Sequence, residues 1–167
     1  IPAARWTNEE AQSWEINPER LKLFETAADT IGYVLENDIR PRDIVTRDAI
    51  NNAFILDVAM GGSTNTVLHT LALAHEAGIN YNLEEINKLS DKTPNICKVS
   101  PSRPDVHVED VHRCGGIPAL LKAIHEDGRS PLNLNLPTIY GTLHDTVMKA
   151  PSPDGDVIRV GANAFSQ

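Results

Sequence analysis

Apolar residues recur at helical spacing along much of the chain, and proline, glycine and small polar residues punctuate them. Leu21, Phe24, Ala28, Ile31 and Leu35 step three or four residues at a time behind Asn17-Pro18, an N-cap followed by proline in the first turn. This pattern predicts a helix over Pro18 to Asn37, broken by "IRPRDIV". The segment before it, up to Ile16, has no period and reads as loop. Thr46 is an N-cap candidate for a second helix, in which Ile50, Phe54 and Val58 recur every fourth residue. Gly61 or Gly62 would close it in a left-handed cap. Ser63 caps a third helix carrying Val67, Leu68 and Leu71, which Gly78 stops. Asn82 with Glu85 forms a capping-box pattern for a short fourth helix, ended by Thr93-Pro94.

Beyond this point the pattern weakens. "ICKVS" reads as a short strand, "PSRPD" as a loop, and Gly115-Gly116 as a turn that opens a helix from about Pro118 to Asp127. "LNLPTIYG" alternates weakly, as a strand would, before a short helix in "TLHDTVMK"; "PSPDGDVIRV" reads as a turn and a strand. No internal repeat or low-complexity tract is present. Helices alternating with a few short strands predict an α/β layer in one domain or slightly more.

Composition narrows the partners. The 167 residues carry 15 Lys and Arg against 23 Asp and Glu, a formal net charge of −8. An acidic surface argues against nucleic acid or an anionic membrane as partner, since both call for a basic face. No apolar run has the length of a membrane span, and no signal peptide is visible. The two cysteines, Cys97 and Cys114, are too few and too irregularly spaced for a disulfide framework or a zinc site, which points to a reducing, cytoplasm-like compartment. The opening "IPAARWTNEE", with no initiator Met, and the close at "DGDVIRVGANAFSQ" are expected of an internal piece of something longer or of a processed product.

Two stretches carry candidate chemistry. In "MGGSTNTVLH", Gly61 and Gly62 precede Ser63, Thr64 and Asn65 at a predicted helix start. A helix N-terminus exposes unpaired N–H groups and partial positive charge, so this loop suits a carboxylate or phosphate, with the glycines allowing close approach. The same residues equally describe a plain junction, a glycine C-cap followed by a serine N-cap. In "EDVHRCGG", His112 beside Glu109 and Asp110 suits acid–base work, and Arg113 suits clamping a carboxylate. A solvated turn with local ion pairs accounts for that stretch as well. Cys114 reads either as a thiolate ligand or as a small buried residue. His69 and His75 are six apart and fall on different sides of a helix, unlike the i, i+4 pair of zinc hydrolases. Glu84–Glu85 and Glu126–Asp127 look like exposed helix faces.

Read in order, "RPRDIVTRDAINNAFILDVAMGGSTNTVLHTLALAHEAGI", "LSDKTPNICKVSPS" and "VEDVHRCGGIPALL" closely resemble the iron–sulfur dehydratases that act on dihydroxy-acids, 6-phosphogluconate and sugar acids. The match runs from about Ile39 to Leu121, and "GGSTNTVLH" with "CKVSPS" leans toward the dihydroxy-acid branch. The resemblance implies a hydro-lyase that removes water from 2,3-dihydroxy carboxylic acids to give 2-keto acids, as in valine and isoleucine biosynthesis. A 6-phosphogluconate or sugar-acid dehydratase is the alternative within the family; a non-catalytic α/β binding module is the alternative outside it. The resemblance further implies an iron–sulfur cluster and Mg²⁺ in the parent enzyme, a homodimer, a small dihydroxy-acid substrate and a cytoplasmic location, or an organellar stroma or matrix in a eukaryote.

The cluster cysteines of the family lie in a Cys-Asp-Lys motif and a Gly-Ser-Cys-type motif, and neither occurs in this chain. Cys114 stands where relatives usually carry a small residue, as in "HRAGG". Residues 1–150 are therefore expected to form the later part of the N-terminal α/β domain without its metal-binding half. Residues 151–167 are expected to be a linker and the possible first strand of a C-terminal β-domain. No catalytic residue, metal ligand or bound cofactor is expected in the chain, and the chain alone is expected to be inactive. Gly61, Gly62, Ser63, Thr64, Asn65, His112 and Arg113 are the residues expected to line the cluster and substrate cleft.

Overall fold

A computed structural model describes residues 18–166. The chain divides into two compact units, 1–40 and 41–167. In the first, α1 (Pro18–Glu36) follows the predicted span and begins at the proline, while the expected loop up to Ile16 and the Asn17 cap lie outside the described residues. Leu21, Phe24, Ile31 and Leu35 on this helix are exposed, and the Arg20 guanidinium lies 5.7 Å from the centre of the Phe24 ring.

The second unit is built around α3 (Arg47–Ala59). It follows a single helical turn, α2 (Pro41–Ile44), inside the segment expected only to break the chain. The Thr46 hydroxyl caps α3 by accepting from the Ala49 N–H at 3.2 Å. Against α3 pack α4 (Thr64–Glu76), α5 (Leu83–Ser90) and α7 (Gly116–Asp127); α6 (Val108–Arg113) and α8 (Leu143–Val147) pack on α7. Ile50, Phe54, Ile55 and Ala59 of α3 meet Leu120, Ala123 and Ile124 of α7 and Ile86 and Leu89 of α5 in one buried core. Each large side chain there contributes roughly 1.5–3 kcal/mol of apolar burial. Phe54 stacks on Tyr81, ring centres 5.5 Å apart. The Asn82–Glu85 capping box forms as the spacing predicts.

The strands do not form as expected. Among the described residues, β-pairing consists of three isolated bridges: Asn95 with Ser166, Cys97 with Ile158, and Pro137 with Thr142. The α/β expectation is therefore met only in its helix-rich part. In "ICKVS", the Ile96 and Cys97 N–H groups both donate to the Ala59 carbonyl, at 2.8 and 3.1 Å, so the end of α3 takes the donors a ladder would need. In "PSPDGDVIRV", the Asp154 carboxylate takes the Val157 and Ile158 N–H groups at 3.1 and 2.8 Å and holds a turn. In "LNLPTIYG", Thr138 N–H donates to Gly141 at 2.9 Å, closing a tight loop beside Pro137, which has no donor to extend a ladder.

Three further expectations change. "VEDVHR", read as a turn, is the helix α6, whose six residues are too few to show a period; the Asp110 carboxylate accepts the His107 N–H at 2.8 Å. Asp127, read as part of an exposed face, has a side chain only 3 % exposed, and it accepts from Arg129 Nε at 2.6 Å and the Gly161 N–H at 3.4 Å. Glu85, likewise placed on an exposed face, is half-buried, bonded to the Asn82 N–H and paired with Arg47. No helix of the described residues is long and apolar enough to cross a membrane.

Candidate functional site

The turn between α3 and α4 is shaped by hydrogen bonds that the α3 terminus and the serine cap supply. Gly61 follows α3 in the left-handed region (φ 64°), with its N–H donating to Val58 O at 3.2 Å, while the Gly62 N–H reaches Asp57 O at 2.8 Å. This paired 5→2 and 6→1 closure is the glycine cap that the double glycine predicts. Ser63 then caps α4, its hydroxyl accepting from the Asn65 N–H at 3.1 Å. Gly61, Gly62, Ser63, Thr64 and Asn65 all lie on the surface.

Two neighbours grip this turn, and sequence reasoning had singled out neither. The Asn95 amide donates to Val58 O at 3.1 Å, and a Cβ on Gly61 would stand 3.3 Å from that amide nitrogen. On the other side, a Cβ on Gly62 would fall 1.8 Å from Asp57 Oδ1, inside its carboxylate. Asp57 Oδ1 also accepts the Ser63 N–H at 3.4 Å. Gly61 is thus favoured by its left-handed φ, and a side chain at Gly62 would have to push the Asp57 carboxylate aside. Asp57 carried a signal in the sequence: an acid in the last turn of α3 opposes the dipole of its own helix. It is accommodated by standing at the positive end of the next one.

His112 and Arg113 end α6. Arg113 is held by Glu109 at 2.8 Å and Asp110 at 3.3 Å, and His112 is exposed. Among the described residues, no hydrogen bond or ion pair joins this pair to the Gly61–Asn65 turn. His69 and His75 are both exposed on α4.

Just beyond α6, the Cys114 thiol donates to Asp154 Oδ2 at 3.3 Å, while Cys97 is fully buried. Burial, followed by the nearby Asp154 carboxylate, pushes each thiol up to about 11. Asp154 itself is held below the ordinary carboxylate range: its own burial opposes this, but N–H donors from Ile158 and Val157 and the Cys114 thiol outweigh it. A further ionic cluster ties Arg103 to Asp156 at 2.9 Å and Asp105 at 3.2 Å, with Arg159 on Asp156 at 3.2 Å. Phe165 lies between Lys98 Nζ, 5.0 Å from its ring centre, and the Arg159 guanidinium, 4.6 Å away.

Residues 8–146 match the family described as Dihydroxy-acid/6-phosphogluconate dehydratase N-terminal. The chain belongs to this dehydratase family. It is also 45% identical over 153 residues to a protein named dihydroxy-acid dehydratase from Aquifex aeolicus (strain VF5). That alignment covers 91% of this chain and 27% of the relative, so the chain spans about a quarter of the relative's length. The family resemblance read from about Ile39 to Leu121 is thereby confirmed.

The iron–sulfur cluster and Mg²⁺ implied for dehydratases of this family do not fit the residues here. Cluster ligation typically takes four Cys thiolates, whereas this chain has two cysteines, one of them fully buried. No group of three or more His, Cys, Asp or Glu side chains able to hold a metal occurs among the described residues.

Proposed function

We propose that this chain is part of a hydro-lyase that dehydrates 2,3-dihydroxy carboxylic acids to 2-keto acids. The observation that carries the proposal is the 45% identity over 153 residues to a protein named dihydroxy-acid dehydratase. In this reading the chain forms a wall of the substrate cleft and leaves leaving-group activation to other parts of the enzyme. The Gly61–Asn65 turn positions substrate by its exposed backbone and its Ser63, Thr64 and Asn65 side chains. His112 and Arg113 form a second, polar stretch of that wall, Arg113 supplying positive charge toward a substrate carboxylate.

Residues 1–150 then belong to the N-terminal domain, and 151–167 lead out of it. The cofactors of such an enzyme, an iron–sulfur cluster and Mg²⁺, are held outside this chain, which binds neither by itself and is inactive alone. A homodimer, a place in valine and isoleucine biosynthesis and a cytoplasmic location complete the proposal; nucleic acid and membrane are not partners.

The test is turnover by the protein made from the full reading frame, prepared without oxygen. Formation of 2-keto acid from 2,3-dihydroxy-isovalerate, with none from 6-phosphogluconate or gluconate, supports the proposal. Turnover of 6-phosphogluconate or a sugar acid alone moves the protein to the other branch. Inactivity on all of them, in material with full cofactor content, leaves a non-catalytic module.

A further inference from the structure

Asp57 stands at the junction of two helices in a way that neither helix explains alone. Its backbone carbonyl accepts the Gly62 N–H at 2.8 Å, and its side chain turns to the same residues, with Oδ1 accepting the Ser63 N–H at 3.4 Å. The carboxylate fills the space where any side chain on residue 62 would begin, 1.8 Å from the ideal Cβ position. A carboxylate in the final turn of α3 is unfavourable to that helix, and beside the first N–H groups of α4 it is favourable. Residue 57 thus holds both the backbone path of the turn and the direction from which α4 begins.

We infer that Asp57 is a positioning residue for the Gly61–Asn65 turn, its side-chain oxygen holding Ser63 and abutting Gly62 in the geometry with which the turn meets substrate. The inference rests on the reading of that turn as part of the dehydratase cleft. Asp57 touches no substrate in this role; it acts through Gly62 and Ser63. The arrangement also predicts what a side chain at position 62 would do: its Cβ would displace the oxygen that holds Ser63.

The experiment uses the full-length, cofactor-loaded enzyme with 2,3-dihydroxy-isovalerate as substrate. Rates are measured well below each variant's melting temperature and normalised to folded protein. Asp57→Ala is expected to lower kcat/KM by about tenfold or more, the scale of a small misplacement in a reacting complex. Asp57→Asn keeps an acceptor oxygen at the same place and is expected to retain most of the activity. Gly62→Ala is expected to reproduce the Asp57→Ala defect, and the double variant to be no worse than either single one. Normal kcat/KM per folded molecule in Asp57→Ala overturns the inference, as does a defect in Asp57→Asn equal to that of Asp57→Ala. A variant changed at Ser63 and Asn65, both to Ala, separates the two levels. If it loses activity while Asp57→Ala does not, the cleft reading stands and only the role of Asp57 fails. If it has normal kcat/KM, the cleft reading fails and the inference with it.

Discussion

Asn52 and Asn133 exchange two hydrogen bonds across the second unit. Asn52 Nδ2 donates to the Asn133 carbonyl at 2.6 Å, and the Asn133 N–H donates to Asn52 Oδ1 at 3.0 Å. The Asn52 side chain therefore pairs with a backbone as a neighbouring strand would, and it ties the loop after α7 to the middle of α3. Asn133 continues the chain of contacts, its Nδ2 donating to Asp48 Oδ2 at 3.0 Å.

This pair sets the first expected outcome. Asn52 is only 6 % exposed, so Asn52→Ala leaves an N–H and a carbonyl of Asn133 without partners inside the structure. The expected loss is about 2–4 kcal/mol of unfolding free energy, from two lost bonds and their uncompensated desolvation. Urea denaturation checks it, and a loss below about 1 kcal/mol would show that water replaces the asparagine without cost.

Gly115 sets the second. It lies in the left-handed region (φ 102°), and a Cβ there would stand 2.4 Å from Pro151 Cγ and 2.9 Å from Ala119 Cβ. Gly115→Ala combines a conformational cost of roughly 1–2 kcal/mol with overpacking of roughly 1–3 kcal/mol. Adding Pro151→Ala is expected to recover most of the overpacking, leaving the Ala119 contact and the conformational cost. Thermal melting of the single and double variants measures the Pro151 share; equal melting of the two would place the whole cost in φ and the Ala119 contact.

The third concerns Cys114 and Asp154. Because burial and the Asp154 carboxylate push the Cys114 thiol up to about 11, its alkylation by iodoacetamide at neutral pH should be slow, although the side chain is only half-buried. Asp154→Asn removes the charge that opposes the thiolate and should speed the reaction severalfold. No change in rate would place the protection in access to the sulfur.

The same pair fixes two pH windows of stability. Asp154 is held below its ordinary value of 3.8, so its contribution is present above about pH 4 and is lost as pH falls through the depressed value. The thiols lie above their ordinary value of 9.0, so their contribution is complete below pH 9 and is lost as pH rises through about 11. Denaturation midpoints measured across pH should fall at both ends, and Asp154→Asn should flatten the acid fall. An acid fall of unchanged depth in that variant would assign it to other carboxylates.

Most of the helices were legible in the sequence because the signals that make a helix sit within four residues of one another. Thr46, Ser63 and the Asn82–Glu85 box cap the helices they were expected to cap, and Gly61 closes α3 in the left-handed turn that its position suggests. The candidate turn Gly61–Asn65 was legible for the same reason. α6 escaped because six residues show no period, and its bond from the His107 N–H to Asp110 resembles any local turn.

What the sequence by itself determined, then, is the run of helices, their caps and membership of the dehydratase family. The tertiary structure decided which backbone donors remained free to pair. The Ala59 carbonyl claims the N–H groups of Ile96 and Cys97, 37 and 38 residues further along the chain, and that strand-like segment is left with single bridges. It also decided that Asn52 would meet Asn133 across 81 residues and that the Asn95 amide would reach the Val58 carbonyl across 37. The physical reason is one of range. Helix periodicity and capping are local, whereas a contact between distant residues forms only when packing of the core has already met the entropy cost of closing the loop between them.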